Sequence, residues 1–179
     1  ADEFQSVNTV ERNLWEELPE TLTKIGERAT SGESGLKSIT FPTFNKITGG
    51  LRESDLVCVF GKYKSGKSTF AIQLAIDFAL SDKVPVGIFS LEMDKESIYH
   101  KILSMRTDID YLKLRNPKDN KLTQNDLQIV QSKAAKIFSG SKIYIADRVF
   151  DKSKIKAKMK DWQKQYGVKF FVVDYLNLI

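Results

Sequence analysis

One eight-residue segment constrains the fold of this chain more than any other part of it. Residues 61–68 read Gly-Lys-Tyr-Lys-Ser-Gly-Lys-Ser, which fits the pattern Gly-x-x-x-x-Gly-Lys-Ser/Thr. The segment follows the apolar run 56–60 and opens a helical pattern that continues to Leu80. A strand, a glycine-containing loop and a helix in that order are typical of the Walker A phosphate-binding loop. The sequence therefore predicts a nucleotide site; the alternative is an ordinary Gly/Ser turn.

The residue types of this loop suit phosphate chemistry. Glycines let backbone N–H groups turn toward phosphate oxygens, and the amino terminus of the following helix favours negative charge. The Lys67 ammonium can reach the β- and γ-phosphates, and the Ser68 hydroxyl can ligate Mg²⁺. We expect Mg²⁺-ATP to bind through nine consecutive residues: Gly61, Lys62, Tyr63, Lys64, Ser65, Gly66, Lys67, Ser68 and Thr69.

The composition is that of an ordinary globular domain. The 179 residues are 41% hydrophobic, and 28 Lys and Arg against 23 Asp and Glu give a net charge of +5. This mild basic excess permits an acidic partner such as nucleic acid. The single cysteine, Cys58, lies in an apolar run and is expected to be a small core residue. Without an apolar run of about 18 residues or a signal sequence, we expect a soluble, cytoplasmic protein with no membrane partner.

Strand and helix patterns alternate through most of the chain. Apolar runs predict strands at about 55–60, 85–91, 142–146 and 169–174. Helical patterns fall between and after them, at about 66–81, 94–106, 123–139 and 152–166, with Ser153 as a possible cap of the last. This order predicts an α/β fold with a mostly parallel sheet flanked by helices. Such sheets bind ligands beyond the carboxyl ends of their strands.

The first 35 residues differ in character from the rest. Five apolar residues repeat at helical spacing and form one face: Val10, Leu14, Leu18, Leu22 and Ile25. Pro19 is expected to end one helix near Leu18 and to begin another. Residues 29–35 are small and polar, as in a linker. We therefore divide the chain into a helical linker or docking segment, 1–35, and a nucleotide-binding domain, 36–179.

Two carboxylates follow predicted strands. Glu92 comes after the run 86–91 and could orient an attacking water or accept its proton. Asp174 follows Phe170–Val173 and could hold Mg²⁺ through water. Either residue could also be the first polar residue of a loop. The apolar run 169–179 ends the sequence without a polar tail, which we interpret as a fragment of a longer protein, incomplete at its carboxyl end.

Together these motifs resemble a known family. Residues 48–51 (Thr-Gly-Gly-Leu), the phosphate loop, residues 90–93 (Ser-Leu-Glu-Met) and residues 172–176 (Val-Val-Asp-Tyr-Leu) have the order and approximate spacing of the DnaB-type replicative DNA helicases. The ATPase domain of that family is RecA-like, and the resemblance covers about residues 36–179. The preceding helical segment resembles the helix that joins the family's amino-terminal collar to its motor.

The resemblance implies roles for individual residues and partners for the whole protein. Lys67 and Ser68 match the phosphate and Mg²⁺ ligands, Glu92 the catalytic glutamate, and Asp174 the second-motif aspartate. The implied function is ATP hydrolysis that drives translocation on single-stranded DNA during DNA replication. The implied assembly is a homo-oligomeric ring, a hexamer, with primase or a helicase loader as further partners.

Three departures from the family pattern stand in the sequence. Lys62 occupies a loop position where these helicases usually carry arginine. The later motifs, with the arginine finger that enters a neighbour's site, would lie after Ile179, and the collar is absent. We expect this fragment alone to hydrolyse ATP weakly or not at all. Two alternatives stay open: a RecA- or KaiC-type ATPase that does not unwind DNA, and a truncated nucleotide-binding interaction module.

Other conspicuous residues are interpreted as structural. The alternating lysines at 152–160 would spread around a helix, so we interpret them as a solvated face rather than a DNA site. His100 has no second ligand nearby in sequence and is expected at the surface or at a boundary. Trp162 and Tyr166 recur at helical spacing and are expected in the core, with base stacking as the alternative. Trp15 lies off the apolar stripe of its helix and could dock on a partner.

Overall fold

The computed structural model describes residues 13–31, 35–149 and 151–174. Contacts within the chain divide it into two units, Ala1–Gly35 and Leu36–Ile179. In chain order the elements of the second unit are α2 (Pro42–Thr48), α3 (Lys67–Leu80), β1 (Val86–Ser90), α4 (Lys95–Thr107), α5 (Tyr111–Arg115), α6 (Gln124–Phe138), β2 (Ile143–Asp147), α7 (Lys152–Tyr166) and β3 (Phe170–Asp174). The first unit contains α1 (Leu14–Ser31).

Helix α1 runs through Pro19 without a break, so the expected division into two helices is wrong. Pro19 lies in the second turn, where its missing N–H removes a single intrahelical hydrogen bond. The helix also extends to Ser31, into the segment expected to be a linker; residues 32–34 and Val10 lie outside the described residues. No residue of α1 is buried in the described structure, and Leu14, Leu22 and Ile25 are each more than half exposed.

The described part of the chain contains a parallel three-stranded sheet in the order β2–β1–β3. Successive side chains of the central strand point to opposite faces of the sheet. Val86 and Ile88 join α3 and α4 in one core, whereas Phe89 joins α7 in a second core. The sheet is therefore covered by helices on both faces, as the alternating pattern predicts, and all four predicted helices of this unit are present within one or two residues.

The predicted strand at 55–60 is not formed. Residues 55–60 have no regular secondary structure, and Leu56 and Phe60 are each 89% exposed. An apolar run becomes a strand only where a neighbouring backbone edge pairs with its N–H and C=O groups. In the described residues β1 pairs with β2 and β3, and 55–60 joins neither ladder. Cys58 is consequently exposed, which corrects its expected place in the core.

Two helices that the sequence patterns did not predict complete the unit. Helix α2 follows Phe41, ends at Thr48 and is capped by Gly49, after which Leu51 pairs with Leu36 in an isolated antiparallel bridge. Helix α5 packs with α4 and α6 around a small core of Ile109, Leu114 and Val130. None of the helices in the described ranges is both long and apolar enough to cross a bilayer.

Candidate nucleotide-binding site

The phosphate loop turns sharply into the first turn of α3. Gly66 caps this helix with φ +91°, a conformation that residues with a side chain rarely adopt, and Lys64 also has a positive φ of 61°. At Gly61 an added Cβ would lie 2.6 Å from the Ser65 Oγ. The backbone path therefore requires glycine at Gly66, whereas at Gly61 a side chain would have to displace the Ser65 hydroxyl. The free N–H groups of the α3 amino terminus lie next to the loop.

The Lys67 side chain folds back over the loop. Its Nζ donates hydrogen bonds to the carbonyl oxygens of Gly61, at 3.0 Å, and Lys62, at 2.9 Å. An open cleft of about 290 Å³ is lined by Val59, Phe60, Ser65, Gly66, Lys67 and Phe70. The Lys67 ammonium is thus held within the loop where it is expected to bind phosphate. Tyr63, at the tip of the loop, is 81% exposed.

The strand register brings the predicted carboxylates to one edge of the sheet. Ser90, the last residue of β1, lies opposite Asp147 of β2 and Asp174 of β3. Helix α3 packs on β1 and β3 and returns to β1 through the short connection 81–85, so its amino terminus lies toward the carboxyl ends of the strands. The phosphate loop, Glu92 and Asp174 therefore face the same edge, the usual ligand side of a parallel sheet.

Glu92 is exposed and lies in a tight turn between β1 and α4. The buried Ser90 hydroxyl donates to the Met93 carbonyl at 2.7 Å and accepts from the Met93 N–H at 3.1 Å. Asp94 caps α4 by accepting from the Ser97 N–H at 2.7 Å, and this hydrogen bond holds the pKa of the Asp94 carboxyl below its usual range. The backbone on both sides of Glu92 is therefore fixed by side-chain hydrogen bonds.

A second open cleft begins at Glu92. It has a volume of about 390 Å³ and is lined by Glu92, Met93, Asp94, Ser97, Lys101, Tyr111 and Arg115. Its lining includes two carboxylates and two cations, and it opens between α4 and α5. Glu92 thus has solvent access on the side away from the buried strand, which a residue that orients water requires.

The donors expected for Mg²⁺ are few but suitable. Ser68, in the first turn of α3, and Asp174, at the end of β3, are both half-buried. In the described ranges no group of three or more His, Cys, Asp or Glu side chains could hold a metal by itself. Mg²⁺ usually keeps several waters and binds one or two carboxylates together with substrate phosphates. One hydroxyl and one carboxylate beside a phosphate loop fit that coordination.

The remaining predicted residues lie where the structural interpretations placed them, with two exceptions. Trp162 is buried and stacks on Phe89 with ring centroids 4.9 Å apart. His100 is half-buried and lies 3.8 Å from Glu96. Tyr166, in contrast, is 41% exposed and stacks on Tyr144, so its expected core position is only partly correct. Helix α7 is capped by Asp151, not by Ser153.

Two polar residues were missed, one at the same edge of the sheet as the site and one at the far end of α3. Asp147 ends β2 as Asp174 ends β3, and its carboxylate accepts from the Lys95 N–H at 3.0 Å. The same pattern of an apolar run and then an acid could have identified it. Asp77, in the last turns of α3, is 1% exposed and binds Arg106 of α4 at 2.7 Å. It also accepts from Ser38, Thr40 and Gln73. Apart from Gln73, these partners are distant in sequence, and no local pattern identifies Asp77.

Comparisons with known proteins identify the family of this chain. Residues 35–179 match the family described as DnaB-like helicase C terminal domain. The chain is 30% identical over 176 residues to the replicative DNA helicase DnaB of Buchnera aphidicola subsp. Baizongia pistaciae. This alignment covers 96% of this chain and 37% of the relative. It is 33% identical over 143 residues to the DnaB of Geobacillus stearothermophilus, in an alignment that covers 78% of this chain and 30% of the relative. The chain thus spans about a third of the length of these relatives.

Solved structures share the fold. A chain described as an ATPase domain matches with a TM-score of 0.75 at 21% identity, over 90% of this chain and 57% of that one. A DnaB-like replicative helicase, described with its interactions with primase, matches with a TM-score of 0.74 at 22% identity. The match covers 94% of this chain and 40% of that one. At these identities the likeness establishes a RecA-like ATPase fold. Because the family match runs through the whole nucleotide-binding unit, this chain belongs to the DnaB-like helicase C-terminal domain family.

Proposed function

We propose that this chain is part of the ATP-driven motor of a replicative DNA helicase that moves along single-stranded DNA. Family membership supports the use of a nucleotide, and one observation carries the assignment to this site. The register that aligns Ser90 with Asp174 puts the ends of β1 and β3 at one edge of the sheet, and the packing of α3 on both strands puts the phosphate loop at the same edge. Nucleotide binding, metal binding and water activation can then act on the same phosphate.

The proposed ligand is Mg²⁺-ATP, held mainly by the loop backbone. N–H groups of residues 61–69 would bind the phosphate oxygens at the amino terminus of α3. The Lys67 ammonium, which now donates to two loop carbonyls, would exchange them for the β- and γ-phosphates, since anionic oxygens are stronger acceptors. Ser68 and Asp174 would hold Mg²⁺, which neutralises charge on the phosphates. Bound in this way, the γ-phosphate would face Glu92, which lies at the same edge of the sheet as the loop.

Glu92 is proposed to act on the attacking water. Its carboxylate is exposed in the cleft between α4 and α5, while its backbone is fixed by the Ser90 and Asp94 hydrogen bonds. A fixed backbone with a solvent-facing carboxylate suits a group that must orient water and accept its proton. Lys67 supplies positive charge on the phosphate side, where negative charge accumulates in the transition state.

The proposed assembly is a homo-oligomeric ring, a hexamer by family resemblance. Among the described residues of the first unit, nothing covers the stripe of Leu14, Leu22 and Ile25, which supports contacts of α1 with another subunit. Primase is a proposed partner, because the DnaB-like helicase structure that this chain resembles was described with its interactions with primase.

Nucleotide binding by the full-length protein tests the proposal. Lys67→Ala removes the ammonium from the phosphates and should weaken Mg²⁺-ATP binding about tenfold to a hundredfold, as for the loss of a charge-assisted hydrogen bond. Lys64→Ala is the matched control, because it removes the same charge from the same loop at a position that the motif leaves free. Equal dissociation constants for the two variants, measured by isothermal titration calorimetry, would overturn the assignment.

A further inference from the structure

A cleft that contains two cations lies next to Glu92, outside the proposed nucleotide site. It has a volume of about 390 Å³ and opens between α4 and α5. Lys101 of α4 lines this cleft together with Tyr111 and Arg115 of α5. The proposed hydrolysis reaction uses none of these three residues. Their ammonium, phenol and guanidinium groups are hydrogen-bond donors without an assigned ligand.

Neither cation of the cleft has a carboxylate partner. Within the described part of the chain, Arg106, Lys113 and Lys133 each form an ion pair with an aspartate, whereas Lys101 and Arg115 form none. Lys101 is nevertheless half-buried, and a cation that is removed from water without an anion loses solvation free energy. The cleft therefore holds positive charge that an anionic ligand would stabilise.

The three donors line the cleft from two helices that are packed together. Tyr111 and Arg115 are four residues apart on α5, so they share one face of this helix and lie about 6 Å apart along its axis. The small core of α4, α5 and α6 holds α5 against the helix that carries Lys101. A tetrahedral oxyanion accepts several hydrogen bonds at once, and ammonium and guanidinium groups donate the strongest ones.

The opposite charges of the cleft are separated along α4. Asp94 caps the amino end of this helix, two residues after Glu92, and Lys101 follows seven residues later, about 10 Å along the axis. A phosphate anion that forms beside Glu92 is repelled by both carboxylates and attracted by Lys101 and Arg115. The charges therefore favour movement of an anion away from Glu92, toward α5.

We propose that this cleft binds the orthophosphate released by ATP hydrolysis, after it forms beside Glu92 and before it enters solvent. The proposal rests on the proposed function, in which Glu92 acts on the water that attacks the γ-phosphate. Lys101, Tyr111 and Arg115 donate hydrogen bonds to the oxygens of the phosphate. The two products are then held separately, with ADP on the phosphate loop and orthophosphate in the cleft.

Equilibrium dialysis of the full-length protein with radiolabelled orthophosphate tests the site. A non-hydrolysable Mg²⁺-ATP analogue fills the phosphate loop, so that only phosphate bound elsewhere is measured. Lys101→Gln with Arg115→Gln removes both cations and should weaken phosphate binding about tenfold or more, as for the loss of two charge-assisted hydrogen bonds. The matched control, Arg52→Gln with Lys118→Gln, removes one arginine and one lysine at exposed positions outside the cleft. Equal weakening in both variants would show a general charge effect and overturn the site.

Steady-state ATP hydrolysis distinguishes product phosphate from phosphate taken up from solution. Added orthophosphate should inhibit the wild type noncompetitively with ATP, because an occupied cleft blocks the departure of the next phosphate and leaves the phosphate loop free. The Lys101 and Arg115 variant should lose this inhibition while it still binds Mg²⁺-ATP, which shows that it is folded, and Lys101→Arg should retain the inhibition. Purely competitive inhibition would place the phosphate on the phosphate loop. Phosphate binding without inhibition would place it off the product path, and either result would overturn the proposal.

The remaining outcomes separate this proposal from the proposed function and from another ligand. If Lys67→Ala binds Mg²⁺-ATP as tightly as Lys64→Ala, the proposed function itself fails. If the Lys101 and Arg115 variant hydrolyses ATP and is still inhibited by phosphate as strongly as the wild type, only the phosphate site fails. Displacement of the labelled phosphate by acetate as effectively as by sulfate, at constant ionic strength, would identify a carboxylate as the ligand and overturn the assignment to phosphate.

Discussion

Glu92 shows how a single residue combines exposure with a fixed backbone. Its carboxylate faces solvent, while Ser90 and Asp94 hold the turn that carries it. Glu92→Gln preserves size and hydrogen bonding but cannot accept a proton. In the full-length protein we expect kcat for ATP hydrolysis to fall by about 10²–10⁴-fold while ATP affinity stays unchanged. A coupled phosphate-release assay with calorimetry measures both, and retained turnover would move the base to another residue.

Asp77 is a second residue whose role depends on its environment. Burial raises the pKa of its carboxyl, but hydrogen bonds from Ser38, Thr40 and Arg106 outweigh burial and lower the pKa below its ordinary 3.8. Asp77→Asn should lower the free energy of unfolding by about 3 kcal/mol at neutral pH, because Arg106 loses its buried partner. Urea denaturation measures this loss.

The pH dependence of that loss has a defined sign. Because the folded-state pKa of Asp77 is depressed, its contribution is fully present above the unfolded-state pKa near 4 and is lost as pH falls through the lower folded-state value. The stability difference between wild type and Asp77→Asn should therefore be constant above about pH 5 and shrink below pH 4. A stability difference that stays constant down to pH 2 would contradict the lowered folded-state pKa of Asp77.

Burial raises the pKa of the Asp82 carboxyl, so Asp82→Asn should not destabilise the protein at neutral pH.

At the scale of elements, α4 connects the turn that carries Glu92 to the core. Its N-cap, Asp94, accepts from the Ser97 N–H, and α7 has an equivalent cap in Asp151, which accepts from the Lys154 N–H at 2.9 Å. Asp94→Ala and Asp151→Ala should each lower the urea concentration at the midpoint of unfolding. Only Asp94→Ala should also lower kcat for ATP hydrolysis, because only that cap fixes the backbone next to Glu92.

The two cap variants control for each other. If Asp94→Ala and Asp151→Ala lower both the urea midpoint and kcat by the same factors, the effect of Asp94 is one of overall stability. A fall in kcat for Asp94→Ala alone, with unchanged ATP affinity, supports the coupling between α4 and Glu92. Rescue by Asp94→Asn, which can still cap the helix, should restore most of kcat.

For the whole molecule, α1 determines the expected assembly. Its apolar stripe is exposed, and a head-to-tail contact made with such a segment closes into a ring or opens into a helix. Leu14→Asp with Leu22→Asp should weaken concentration-dependent oligomers of the full-length protein without abolishing ATP binding. Light scattering over a dilution series, paired with a nucleotide-binding assay, measures both properties.

A control for this prediction keeps the charge change and moves it to the other side of α1. Thr23→Asp with Thr30→Asp adds the same two carboxylates on the polar face, where both hydroxyls bond only to the helix backbone. The oligomers of this control variant should persist over the same dilution series. Unchanged oligomers in the Leu14 and Leu22 variant would mean that the stripe packs within its own chain, and a solely monomeric full-length protein would count against a ring helicase.

The sequence by itself determined the phosphate loop, four of the five helices after it and the edge of the sheet at which Glu92 and Asp174 lie. These features depend on local spacing and on a parallel order that aligns strand ends, so short patterns suffice. Tertiary structure decided the rest. Segment 55–60 has the side chains of a strand but no paired backbone edge, and Pro19 is tolerated because it interrupts a single hydrogen bond. Asp77 and Tyr166 depend on partners, Arg106 and Tyr144, that only folding brings near.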